Sequence, residues 1–124
     1  MLPLMVIALE QATWCAAREV PLVGLDLDKK VGISRELLAS PETATVVYGI
    51  RHSPSETTTG WYLWTGENDD SADFFLPLHA RHLLERHRHL LPLLGSAPGW
   101  CFVIAPEDAY EDVWFDPAIA AQIG

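Results

Sequence analysis

Basic side chains are what this 124-residue chain is shortest of: 8 Lys and Arg stand against 17 Asp and Glu, a formal charge of −9. That balance repels phosphate backbones and anionic lipid, so nucleic-acid and membrane-surface partners are disfavoured. Cysteine is scarce too. Cys15 and Cys101 lie far apart, beside Trp14, Trp100 and Phe102, and no CxxC occurs. This excludes the common redox and zinc motifs. Two buried free thiols in a reducing cytoplasm are the default expectation, with a disulfide between them left open. No long apolar run is present. The opening stretch from Met1 to Leu9 has no preceding Lys or Arg, is interrupted by Glu10 and is too short to span a bilayer. It is expected to belong to the core, and the protein to be cytoplasmic.

Catalytic signatures are missing as well. Gly32-Ile33-Ser34-Arg35-Glu36 lacks the second glycine of a nucleophile elbow. The glycines are scattered singly, so no phosphate-cradling loop forms, and no HExxH helix occurs. Cys101, between Trp100 and Phe102, suits a core position better than a nucleophile. No catalytic residue, no cofactor and no metal site is therefore expected.

What is present is ample apolar material. With 49% hydrophobic residues, five of them Trp, the chain can build one core without staples. No linker, repeat or low-complexity tract interrupts it, so residues 1–124 read as a single domain. Leu4 to Arg18 fits a helix with Met5, Leu9, Ala12 and Ala16 on one stripe, and a strand through Val6 and Ile7 fits nearly as well. Val20 to Leu27 could extend as a strand. Ser34 reads as the N-cap of a short helix closed by Pro41. Thr43 to His52 is the clearest strand, with Ala44, Val46, Tyr48 and Ile50 on one face and Thr43, Thr45 and Arg51 on the other. A loop from Ser53 to Thr59 leads to a strand over 60–65, where Trp61 and Leu63 alternate with Tyr62 and Trp64. Leucine spacing predicts a helix over Leu78 to Leu91, with His87 among the leucines. Short strands follow at Trp100 to Ala105 and Val113 to Phe115, and Asp116-Pro117 starts a last helical turn. Strands and helices do not alternate as βαβ units. The expected class is α+β, an antiparallel or mixed sheet with helices packed on one side.

Three groups of side chains could carry function. His79, His82, His87 and His89 invite a metal reading; only His79 and His82 share a helical face, and a basic solvated face explains the rest. Glu67, Asp69, Asp70 and Asp73 crowd one loop without the calcium-loop pattern. Trp61, Tyr62 and Trp64 place rings on both faces of one strand, and Tyr110 and Trp114 sit among Glu107, Asp108, Glu111, Asp112 and Asp116 with no Lys or Arg between. Aromatic anchors rimmed by carboxylates suit capture of a basic protein.

The order of short motifs carries a family resemblance. Gly32-Ile33-Ser34 precedes a helix, and a strand ends in Tyr48-Gly49-Ile50-Arg51. Thr59-Gly60-Trp61 and Gly66-Glu67 follow, then Leu91-Pro92-Leu93-Leu94 and Gly99-Trp100-Cys101-Phe102. This series, from Val31 to Phe102, resembles the Imm33-type immunity-protein family of bacterial toxin systems. The resemblance implies a non-enzymatic antidote, made beside a toxin and blocking it by tight binding. The partner expected is a cognate toxin or effector, basic in charge, met by a monomer or homodimer through Trp61, Glu67, Asp69, Asp70 and Asp73, with Glu111, Asp112 and Trp114 second. A small regulatory or adaptor domain binding another protein or a small ligand is the alternative. A metal-dependent enzyme built on His79 and His82 is the third.

Overall fold

A computed structural model of the chain describes residues 3–40, 46–68, 71 and 73–123. Six strands make one mixed sheet: β1 (Lys30–Ser34), β2 (Val47–Arg51), β3 (Thr58–Trp64), β4 (Phe75–His79), β5 (Trp100–Ala105) and β6 (Tyr110–Phe115). Their lateral order is β4-β1-β3-β2-β5-β6. Among the described residues, β1 and β3 run parallel and the other four strand pairs antiparallel. The α+β class expected from sequence is the one observed.

One face of the sheet is closed. Val31, Ile33, Val47, Trp61, Leu63, Phe102 and Ile104 all point into it and are buried, and they meet two helices, α1 (Pro3–Arg18) and α2 (Arg35–Ala39). Ser34 caps α2 as expected, its Oγ accepting from the Leu37 N–H at 3.2 Å. The inward stripe of α1 is Ile7, Gln11, Trp14 and Cys15. The stripe expected from sequence is the outward one, with Met5 58% and Leu9 63% exposed. Gln11 is the cause. It reads as a surface residue, yet its Nε2 donates to Leu91 O at 3.0 Å inside the core, and that anchor sets the rotation of the helix.

The helix expected over Leu78 to Leu91 does not form. Leu78 and His79 belong to β4, pairing with Val31 and Lys30. The chain then descends through three 3-10 turns, Ala80–Leu84, Arg88–Leu90 and Leu93–Gly95, with His87 left-handed at φ 55° between the first two. Leu83, Leu90, Leu91, Leu93 and Leu94 are still buried, and so is His87. Leucines spaced for a helix here fill a core from turns, because tertiary burial outweighs local propensity. The strand expected over Val20 to Leu27 is also absent. That segment is irregular, touching strand geometry only at a Leu22–Ser96 bridge.

Two other boundaries move. β3 starts at Thr58 rather than Gly60, and β6 starts at Tyr110 rather than Val113. In β2 the expected alternation is observed, and Val47, Gly49 and Arg51 form the buried side. Pro41, Thr43, Ala44 and Thr45 lie outside the described residues. Gly49 occupies the buried side because it must; a Cβ there would stand 2.3 Å from the Phe102 ring. The final turn, α3 (Pro117–Ala120), begins as expected with Asp116 capping the Ala118 N–H.

Arg51 is 3% exposed and, among the described residues, pairs with no carboxylate. Its Nε donates to Thr59 O at 2.9 Å, and its Nη1 donates to Gly24 O at 3.0 Å and Ser96 O at 2.7 Å. Burial pushes the guanidinium down to about 10, still cationic at neutral pH. Replacing it with Met is expected to leave these carbonyls without donors and to cost about 3 kcal/mol or more in urea unfolding, since each orphaned buried acceptor costs roughly 1–3 kcal/mol. Arg51→Lys, whose ammonium cannot span the same carbonyls, should recover less than half of that loss.

Candidate functional site: the open face of the sheet

Cross-strand pairing fixes which side chains share the second face. One row runs Tyr62–Ile50–Cys101–Trp114, and the next runs Trp64–Tyr48–Val103–Asp112. Pro77 and Phe75 of β4 continue them beyond Gly32 and Ser34. Among the described residues no long helix covers these rows, and Tyr48, Tyr62, Trp64, Phe75 and Val103 are half-buried. Their rings cover one another instead. Tyr48 stacks on Trp64 at 5.6 Å, and Phe75 meets Tyr62 at 5.1 Å and Trp64 at 5.9 Å edge-on. Such contacts hold large rings in fixed positions, a pre-ordered apolar surface that a partner can bury with little entropic cost. Beside them, where Gly32 presents no side chain, a cleft of about 430 Å³ opens between Lys30, Thr58, Tyr62 and Phe75.

The residues expected from sequence to touch a partner fall into distinct places. Trp61 is 1% exposed, and its Nε1 donates to Leu94 O at 2.9 Å; it is a core residue with no surface for a partner. Tyr62 and Trp64, its alternating neighbours, face outward in its stead. Glu67 is exposed just after β3 and Asp73 just before β4. Asp69 and Asp70 lie outside the described residues. Asp112 and Trp114 sit together on the open face, Trp114 being 41% exposed. Glu111, between Tyr110 and Asp112, points the other way and is held by Arg18 of α1, Nη2 to Oε1 at 3.0 Å. Tyr48 and Phe75 were not expected at the site. Tyr48 could have been found from its alternation with Val47 once the buried side of β2 was known, whereas β4 was hidden inside an expected loop and helix.

A second concavity of about 510 Å³ runs along the outer side of α1, past Val6, Leu9, Trp14 and Pro92. It is larger and more apolar. It carries only Glu10 and Arg18 as charged groups, with the Arg18 guanidinium 4.2 Å over the Trp14 ring. The open sheet face offers the combination that recognition favours, aromatic rings bordered by carboxylates.

The histidines do not converge. His79 and His82 stack at 6.2 Å and His87 meets His89 at 5.9 Å. Among the described residues, no group of three or more His, Cys, Asp and Glu is placed to hold a metal ion. Also among the described residues, no helix is long and apolar enough to cross a membrane. The two thiols are free and buried, Cys15 in the helix-covered core and Cys101 in a row of the opposite face.

A family model for the Imm33-like domain matches residues 10–116. No curated protein and no solved structure matches the chain.

Burial raises both thiols. Cys101 is pushed up to about 11, with Asp116 adding to the effect, while for Cys15 the Ser96 hydrogen bond and Arg18 act against it. Neither should react with an aromatic disulfide reagent at pH 8 until the chain unfolds. Because the folded state holds the Cys101 proton more tightly than the unfolded chain does, the thiol's contribution to stability should fall as pH rises from 9.0 to about 11, while Arg51, lowered to about 10, opposes the fall above that pH. Urea midpoints between 9.0 and about 10 should show the decline, and Cys101→Ala should reduce it, leaving the share of Cys15.

Proposed function

We propose, from the premise that this chain belongs to the Imm33-like domain family, that it is an immunity protein: it binds a cognate toxin or secreted effector and blocks it without catalysis. The observation that carries this reading is the open aromatic face bordered by Asp112, Trp114, Glu67 and Asp73. Large fixed rings supply the apolar contact, and the carboxylates supply long-range attraction and orientation. With a net charge of −9, the natural partner is basic, as a nuclease that must attract phosphates would be. Occlusion of such a site needs no chemistry from the inhibitor. The contact residues proposed are Trp114, Asp112, Glu67 and Asp73, with Asp69 and Asp70 completing the acidic loop and Tyr48 and Trp64 the apolar centre. Trp61 acts from beneath by holding the sheet to the 3-10 segment, and Glu111 by fastening β6 to α1.

The test is rescue. Expression of the adjacent toxin-encoding reading frame should arrest a susceptible cell, and co-expression of this chain should restore growth and yield a stable complex. Trp114→Ala is expected to weaken that complex by about 30-fold, the scale of an interfacial aromatic hot spot. Asp112→Lys should slow association most at low salt, because screening removes the steering term. Unchanged affinity in the double variant would take the contact away from this face.

A further inference from the structure

The two edges of the sheet differ. β4 carries Pro77 at its centre, which denies an incoming strand a donor. β6 has no such guard: it is six residues long, Tyr110-Glu111-Asp112-Val113-Trp114-Phe115, with neither Pro nor Lys. Asp116 N–H donates to Gly99 O at 2.8 Å, continuing the β5–β6 ladder by one pair. Antiparallel alternation then directs the backbone of Trp114, Asp112 and Tyr110 toward β5, and that of Phe115, Val113 and Glu111 away from the sheet. Among the described residues, nothing bonds the N–H or C=O of those three from outside. Tyr110, Trp114 and Phe115 are also 52%, 41% and 49% exposed.

We propose that β6 is a strand-addition edge: an extended, basic segment of the partner pairs with the outward backbone of Glu111, Val113 and Phe115 and enlarges the sheet to seven strands. The inference rests on the immunity reading and adds the mode of engagement to it. Charge selects the occupant. Five carboxylates lie between Glu107 and Asp116, and residues 100–124 contain no Lys, Arg or His. Of those carboxylates, Arg18, reaching across from α1, holds Glu111. A second copy of the chain would bring the same carboxylates to the same edge. A segment with Lys or Arg at alternate positions would set its cations beside Asp112 and over the Trp114 ring while its backbone completes the ladder. The new strand would also extend the Trp64–Tyr48–Val103–Asp112 row, so edge and face form one continuous surface.

The experiment is amide hydrogen exchange, with and without the toxin that the chain protects against, combined with two variants. In the free chain the amides of Glu111, Val113 and Phe115 should exchange fast, and in the complex they should slow by about 100-fold or more. Val113→Pro removes an outward donor without breaking a β5 bond. Val113→Ala loses comparable packing and keeps the donor. The proline variant is expected to bind at least about 10-fold more weakly than the alanine variant, the worth of a ladder hydrogen bond plus the blocked approach. If the complex forms and rescues while those amides still exchange freely, or if both variants bind alike, strand addition is wrong and the immunity reading stands. Protection in the free chain that grows with its concentration would give the edge to a second copy and overturn the proposal. No complex and no rescue with wild type would remove the immunity reading and this inference together.

Discussion

The architecture turns on one buried cation. Arg51 ends a central strand, and its guanidinium reaches Thr59 O in the neighbouring strand, Gly24 O in the irregular segment after α1, and Ser96 O past the last 3-10 turn. Neither irregular segment has a sheet ladder or a long helix to satisfy its backbone, so carbonyls there need donors from elsewhere. Trp61 joins the same junction by donating to Leu94 O, and Gln11 extends it from α1 through Leu91 O. Taking a guanidinium out of water is costly, which is why its proton affinity falls. Carbonyl dipoles from separate segments offset that cost only when all of them arrive together. The junction is thus a cooperative condition on the fold, satisfied by one arrangement of strands and turns.

That arrangement divides the sheet's two faces by task. The closed face needs α1, α2 and the leucine-bearing turns above it, and Arg51 brings the loops into place for them. The open face is left to cover itself, which it does through ring-on-ring contacts among Tyr48, Tyr62, Trp64 and Phe75. Charge follows the same division. Arg81, Arg86 and Arg88 all come from the turn segment, and Arg88 lies 3.8 Å from Glu10 of α1. The carboxylates of residues 107–116 gather at the β5–β6 end of the sheet. Aromatic rings thus gather toward β3 and β4, and this group of carboxylates toward β6.

Much of this was legible in the sequence, and the failures share a cause. Alternation along Trp61, Tyr62, Leu63 and Trp64 located β3, and the Ser34 and Asp116 caps located α2 and α3. Periodicity reports that two faces differ, but it does not say which one is buried. Arg51 and Gln11 are polar residues on inward faces, so alternation left the buried side of β2 open and the apolar stripe of α1 named the outward one. The partner anchor was placed on Trp61 for the same reason, one residue away from the outward Tyr62 and Trp64. Asp112 and Trp114 share the open face because their i, i+2 spacing keeps them together on whichever face they take. Glu111, between them, had to fall on the other face. The expected helix over 78–91 failed differently: leucines at helical spacing are equally able to fill a core from successive tight turns, and His87 adopts a left-handed backbone that interrupts any helix there.

The motifs that signal the family are mostly parts of the joint rather than of the surface. Gly60 has φ 89°, and a Cβ there would stand 2.0 Å from His52 O, so the chain can enter β3 at this angle only with glycine. Trp61 follows directly and drives its indole to Leu94 O, within the Leu91-Pro92-Leu93-Leu94 motif. Arg51, last of the Tyr48-Gly49-Ile50-Arg51 motif, closes the same joint, and Phe102 packs across Gly49. Residues whose geometry admits so little substitution specify the scaffold, and a scaffold is common ground for many partners. Substitution is free where the joint makes no demand. Those places are the outward side chains of β3, β4 and β6, where Trp64, Phe75, Asp112 and Trp114 can change without disturbing a single contact of Arg51. The joint and the open surface thus occupy opposite faces of the same strands.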